Sequence, residues 1–284
     1  MMAGTVYPAP AKLNLMLRVT GRRADGYHLL QTIFRFIDFC DAVRICVRED
    51  GIIARPNDIS GVDENDDLCL RAARLLQKAG AIRVGADIAL EKRLPVGGGL
   101  GGGSSDAATA LIALNRLWGL DWPRTRLQEL ALQLGADVPV FVFGESALGE
   151  GIGEKLTALT LPPAWYLVLV PPVGVSTAQV FQHPDLIRNS IPTKIPPFSA
   201  ASASNGLEAV VCRLYPEVAR HLAWLKEFGG AQLRNARMTG SGGCVFAEFA
   251  NEDAARAVLD QLPATMRGVV AQGLAQHPLR AMCK

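Results

Sequence analysis

The stretch Pro95-Val96-Gly97-Gly98-Gly99-Leu100-Gly101-Gly102-Gly103-Ser104-Ser105 decides how the rest of the chain is read. Glycine at that density carries a large backbone-entropy cost on folding, and an ordinary turn does not require it. Without Cβ atoms, backbone N–H groups can come close to an anion. Ser104 or Ser105 is expected to cap the helix that follows, whose N-terminus adds a favourable dipole. The stretch predicts a phosphate cradle. The competing explanation, a flexible linker, sits poorly between an amphipathic strand and an amphipathic helix.

Those two flanks are read from periodicity. Residues 86–94 have strand character, and residues 105–118 return to helical spacing through Ala108, Leu111, Ile112 and Asn115. Farther upstream, residues 13–20 and 32–47 cluster apolar residues as strands do, with Asp25-Gly26 as turn chemistry between them. Residues 67–79 carry Leu68, Ala72, Leu75 and Leu76 on one helical stripe that Gly80 ends. Downstream, a helix is expected over 125–134, ending at Gly135, and a short apolar strand over 138–143, closed by Gly144.

Composition breaks at Leu161-Pro162-Pro163, and a new strand opens at 166–170, so a domain boundary is expected there, with units 1–160 and 161–284. In the second unit, residues 176–204 read as long loops around a short helix, 207–214 and 216–228 as helices, and 244–249 as a strand. Residues 251–262 read as a helix capped by Asn251 or the acid after it. Strands and helices intermix in both units, so the class is α+β.

The 284 residues include 49% hydrophobic and 20% charged, which places the chain among ordinary globular proteins and outside the disordered class. Lys plus Arg at 29 against Asp plus Glu at 27 leaves +2, too balanced for nucleic-acid binding through a general field, so any anion site must be local. The six cysteines form no CxxC pair and no zinc-type spacing with His. They read as reduced thiols of a cytoplasmic protein. No signal-peptide pattern opens the sequence, and residues 165–175 are too short and too proline-broken to span a bilayer. No membrane partner is expected, and the sequence fits a monomer or a weak homodimer.

Gly97, Gly99 and Gly102 also fit GxGxxG, a weak dinucleotide signal on its own. The preceding segment carries Glu91, Lys92 and Arg93 where a parallel sheet would have a buried apolar run, and no acid-terminated strand follows the helix. A Walker A loop needs Gly-Lys-Ser/Thr, and no Lys follows a Gly here. The HRD and DFG signatures of protein kinases are absent too.

The glycine stretch, with Ala9-Pro10-Ala11-Lys12-Leu13-Asn14-Leu15 before it and Met238-Thr239-Gly240-Ser241-Gly242-Gly243-Cys244 after it, resembles the three motifs of the galactokinase, homoserine, mevalonate and phosphomevalonate kinase superfamily. The motifs keep the superfamily's order over nearly the whole chain. Gly21-Arg22-Arg23-Ala24-Asp25-Gly26-Tyr27-His28 and Gly135-Ala136-Asp137-Val138-Pro139 are similar to the branch in the non-mevalonate isoprenoid pathway whose acceptor alcohol carries a cytidyl diphosphate group. The resemblance implies a ribosomal-protein-S5-domain-like N-terminal domain and a ferredoxin-like C-terminal one. It also implies ATP with Mg²⁺ and transfer of phosphate to the acceptor's 2-hydroxyl.

It assigns roles as well. Asp137 would be the catalytic base, assisted by Lys12; a local cap and a solvated surface lysine are the ordinary alternatives. Residues 95–105 with Gly240, Ser241 and Gly242 would hold the ATP phosphates, although a plain glycine turn before the strand at Cys244 competes for the latter group. Asn14, on the same strand face as Lys12, would bind the substrate. Tyr27 and His28 would stack on and hydrogen-bond its cytosine, with Phe181 as the ring on the opposite face; surface packing and plain core are the alternatives. Mg²⁺ bound through phosphates and water leaves no ligand signature, and no protein metal ligand is assigned. The branch often has Asn where this chain has Asp67, with Asn65 nearby, which departs from the pattern on the adenine side. Other kinases of the superfamily, of homoserine or mevalonate type, and a non-catalytic nucleotide-binding regulator are the alternatives. Such a kinase would lack the Tyr-His pair, and a regulator would have no use for both Lys12 and Asp137.

Overall fold

Two long antiparallel strands, β1 (Thr5–Arg22) and β2 (His28–Arg48), form the spine of this computed structural model, which describes residues 4–59, 62–193, 204–228 and 234–283. The expected Asp25-Gly26 turn joins them: Gly26, at φ +94°, donates to the Arg23 carbonyl. β1 pairs with one edge of β2 throughout. The other edge takes three partners in succession. These are β5 (Ala147–Glu150), β10 (Gly268–Leu274) and β4 (Gly85–Glu91), all antiparallel. The path continues through β7 (Trp165–Leu169) and β9 (Val245–Phe249) to β8 (Arg234–Met238), while β3 (Ile53–Ala54) flanks β4 and β6 (Lys155–Ala158) flanks β5. A single ten-stranded sheet results.

β1 carries Pro8 and Pro10, tolerable because its second edge pairs with none of the named strands among the described residues. Loops cover that edge instead. Lys12 donates to Leu100 O, Leu17 to Ser204 O and Ser190 to Val19 O. The glycine stretch and the 183–193 segment are thereby fixed to the strand that bears Lys12 and Asn14.

α1 (Leu68–Ala79) begins at Asp67, whose carboxylate accepts from Cys69 N and Leu70 N, and ends at Gly80. α2 (Gly102–Leu117) is buried without interruption from Ser105 to Asn115, as an alanine-rich helix enclosed on all sides must be. α3 (Arg124–Leu134) stops at Gly135 as expected.

The segment 138–143, expected as a strand, is instead the helix α4 (Val138–Phe143). Its residues favour strands, but five of them are buried beside α2 and α3. Pro139 occupies the first turn, where its missing N–H is not needed, and Gly144 at φ +77° closes the last. The second half adds α5 (Thr177–Gln182), α6 (Glu208–Leu214), α7 (Pro216–Phe228) and α8 (Glu252–Leu259), the last capped by Asn251 as expected. The expected 176–204 loops are described up to residue 193 and at 204; residues 194–203 lie outside the described residues.

Apolar clusters fill each half: Phe36, Leu111 and Phe141 in the first, Leu167, Trp224 and Val245 in the second. A third cluster, with Leu13, Leu15, Ile37, Tyr166 and Phe246, joins the two. All six cysteines are free thiols, and among the described residues no helix is long and apolar enough to cross a membrane.

Candidate active site

A cavity of about 940 Å³ opens where β1, the glycine stretch, the 240–243 turn and α5 meet. Gly97, Gly99 and Gly101 have φ of +69°, +76° and +72°, so the loop's path requires them. At Gly99 a Cβ would lie within 2.5 Å of Gly242 O and closer still to Thr239 O, so the two glycine segments interlock as bare backbone. The expected serine cap of α2 does not form. Gly101 takes the N-cap position without a side-chain bond, because the helix begins a turn earlier than its apolar periodicity shows.

Ser104 lines the cavity, whereas Ser105 is buried and donates to Pro10 O at 2.7 Å. Leu100 packs into the cluster that joins the halves, and Gly242 fits behind Gly97 O and Val175. These three of the sequence-predicted residues do not line the cavity. Pro95, Val96, Gly97, Gly98, Gly99, Gly101, Gly102 and Gly103 do, as do Gly240 and Ser241.

Asp137 sits between α3 and α4, and its carboxylate is not spent on capping α4. It lies 3.3 Å from Lys12 Nζ, although their positions are remote in sequence. The Lys12 side chain is 3% exposed and that of Asp137 40%, so the ammonium comes from the protein interior and the carboxylate meets the cavity. Lys12 Nζ also donates to Asn14 Oδ1 at 2.6 Å, as two residues on one strand face can. Asn14 Nδ2 donates to Thr32 Oγ1, which donates to Met16 O. Asn14 N donates to Thr239 Oγ1 at 3.0 Å. The Lys12–Asn14 pair is thus held against β2 on one side and the 240–243 turn on the other.

Below the glycine stretch, Lys92 Nζ bonds Asp41 and lies 2.6 Å from Asp106 Oδ2. Burial opposes the Lys92 charge, but Asp106 and Asp41 outweigh it and hold its proton above the usual lysine range. Burial pushes the Asp106 carboxyl up to about 7 against the pull of Lys92. Its Oδ1 is buried without a hydrogen-bond partner among the described residues. Asp67, the departure noted above, is consumed structurally: besides capping α1 it binds Arg55 at 2.8 Å. The cavity wall near it is apolar, with Ile59, Val62, Leu68 and Leu90.

At the other end lie Tyr27, His28 and Phe181. Tyr27 is 60% exposed. His28 and Phe181 stack at 4.9 Å and 27°, which leaves no space for a third ring between those two. Burial, then Arg188 and Arg22, keep the His28 imidazole below its ordinary pKa, hence neutral near pH 7.

Sequence reading missed several residues here. Thr239 stood inside a quoted motif without a role. Lys92 lies just upstream of the glycine stretch, separated from Pro95 by Arg93 and Leu94, a signal that could have been used. Thr32 and Arg188 give no local signal, since their partners are distant in the chain.

The family model of the GHMP kinases N terminal domain matches residues 67–145, and that of the GHMP kinases C terminal domain matches residues 194–268. A 4-diphosphocytidyl-2-C-methyl-D-erythritol kinase of Nitrosospira multiformis is 62% identical over 272 residues, covering 96% of this chain and 92% of the relative. One of Thiobacillus denitrificans is 61% identical over 273 residues, covering 96% of each. The crystal structure of a 4-(cytidine 5'-diphospho)-2C-methyl-D-erythritol kinase superposes with a TM-score of 0.80 at 35% identity, covering 95% of this chain and 99% of the other. Methanococcus jannaschii mevalonate kinase, at 16% identity and a TM-score of 0.68 over 96% of this chain and 99% of its own, shares the fold. With both domain models matched and such relatives aligned along nearly its whole length, the chain belongs to the GHMP kinases, a family of ATP-dependent phosphotransferases.

Proposed function

We propose that this kinase transfers the γ-phosphoryl group of ATP to the 2-hydroxyl of 4-diphosphocytidyl-2-C-methyl-D-erythritol, in the non-mevalonate route to isoprenoid precursors in the cytoplasm. The observation that carries this reading is the Lys12–Asp137 pair, 3.3 Å apart in a cavity with glycine backbone on one flank and Tyr27, His28 and Phe181 on the other. Residues 1–160 form the ATP-binding and catalytic unit in this reading, and 161–284 the unit that completes the acceptor site.

In this reading the triphosphate lies along the N–H groups of 97–103 and 240–241, at the N-terminus of α2, where dipole and bare backbone favour anions. The adenine occupies the apolar wall near Leu68. Asp137 takes the proton of the acceptor hydroxyl as its oxygen bonds to the γ-phosphorus and the bond to the β,γ-bridging oxygen breaks, releasing ADP. Lys12 holds the carboxylate in place. The cytosine stacks between Tyr27 and Phe181, with His28 at its edge.

Among the described residues no three His, Cys, Asp or Glu side chains converge on a metal position. The carboxylates nearest the glycine stretch are shared with Lys12 and Lys92, which fits Mg²⁺ carried by phosphate oxygens and water. Bound there, the ion would neutralise charge on the β- and γ-phosphates.

Turnover of ATP measured against this acceptor, homoserine and mevalonate tests the reading. Product is expected with the cytidyl acceptor alone. Turnover confined to one of the others would reassign the substrate, and none with any would favour a nucleotide-binding regulator.

A further inference from the structure

Arg188 lies outside every motif, yet it uses its guanidinium more fully than its position in a loop would suggest. Its Nε donates to His28 Nε2 at 3.1 Å. Its Nη1 donates to Leu186 O at 3.0 Å, and its Nη2 donates to Phe181 O at 2.9 Å and His183 O at 2.8 Å. One side chain therefore ties the imidazole on β2 to the backbone of the segment that presents the Phe181 ring.

The bond to His28 has a chemical consequence. A guanidinium is always protonated and can only donate, so His28 Nε2 must accept. A neutral imidazole that accepts at Nε2 carries its proton on Nδ1. We propose that Arg188 is a specificity-determining positioning residue, which fixes His28 as an Nδ1–H donor and thereby makes the site choose cytosine over uracil. The proposal rests on the cytidyl reading above. Cytosine offers an unprotonated N3 and its O2 as acceptors. Uracil carries a proton on N3, which would face the Nδ1 proton. A half-buried site that donates at this point disfavours a ring that also donates, because one of the two hydrogens is left without its partner.

The same residue fixes the stacking partner. Phe181 is presented by a short helix, α5, and Arg188 holds its carbonyl and that of His183 just beyond. The 183–193 segment is further bound to the first half, through Ser190 N to Val19 O and a reciprocal pair between Gln31 and Thr193. Loss of Arg188 therefore frees the tautomer while other bonds keep the segment attached.

The test uses the full chain with CMP and UMP as probes, in the wild type, Arg188→Met and Arg188→Lys. The wild type is expected to bind CMP at least about tenfold tighter than UMP. Arg188→Met should reduce that ratio to about threefold or less while ATP affinity stays unchanged. Nitrogen-15 chemical shifts of the His28 ring should show the proton on Nδ1 in the wild type and on Nε2 in Arg188→Met. Arg188→Lys, which can still donate to Nε2, should retain the wild-type tautomer. If the Met variant does not fold, the wild-type ring decides, and a proton on Nε2 overturns the proposal. An unchanged CMP to UMP ratio in a folded Met variant overturns it as well. If CMP fails to bind the wild type at all, the cytidyl reading is what falls.

Discussion

The two ends of the cavity are built from different materials. The end proposed for phosphate is backbone: three positive-φ glycines, a helix N-terminus and a second glycine turn that fits only because neither segment has side chains in the way. The end proposed for the acceptor is side chains, with His28 on β2, Phe181 on α5 and Arg188 in the following loop, brought together by the fold. A backbone site tolerates few substitutions and recognises what all its ligands share. A side-chain site can change its ligand by changing one residue. Lys12 and Asp137, the pair proposed to carry the chemistry, lie between the two ends.

The strongest way to break that contrast is at the centre. Asp137→Asn keeps size and cavity shape but cannot accept the acceptor's proton, so turnover should fall by about 10²–10⁴-fold while both ligands still bind. Steady-state rates with separate ligand titrations check this, and near-normal turnover would remove Asp137 from the chemistry. Next comes the backbone end. Gly99→Ala puts a methyl against two carbonyl oxygens and demands a positive φ, so it should destabilise the chain by more than about 2 kcal/mol. Urea unfolding measures this, and a stability equal to wild type would show that the two glycine segments do not interlock.

The smallest effect sharpens the contrast by asking whether the backbone end hides a titrating side chain. Asp106 has a folded pKa of about 7 against an ordinary 3.8, so between those values the native state binds more protons than the unfolded one. Its contribution is complete below the unfolded value and is lost as pH rises through about 7. The thermal midpoint of Asp106→Asn should therefore fall less than that of the wild type between pH 4 and 8, a difference of several degrees. Parallel curves would mean that Lys92 keeps Asp106 ionised throughout.

The same contrast explains what the sequence discloses. Backbone chemistry is local, so the glycine stretch, the Asp25-Gly26 turn, the Asn251 cap and most helices could be read directly. Residues 138–143 misled because their side chains favour strands, and only enclosure by α2 and α3, invisible in a window of six residues, makes them helical. The serine cap failed for a related reason: glycines began α2 before its apolar rhythm did. The roles proposed for Asp137, Tyr27, His28 and Phe181 rest mainly on family resemblance, since a lone carboxylate or ring has ordinary structural uses that local sequence does not exclude. Arg188 was reached neither by resemblance nor by local sequence, because what it does depends on a partner in another strand.

The spine strand β2 has a further consequence, in time. Strands from both halves hydrogen-bond to it, and the apolar cluster of Leu13, Ile37, Tyr166 and Phe246 spans the junction. A hinge between the halves would have to unpair β10 and shear that cluster. At the rim of the cavity lie smaller pieces, the turn before His28 and the short helix α5. Such pieces move in nanoseconds to microseconds, whereas whole-domain closure takes microseconds to milliseconds. A shift of such a piece leaves β10 paired and that cluster intact, so the rim can move where the body of this kinase cannot bend.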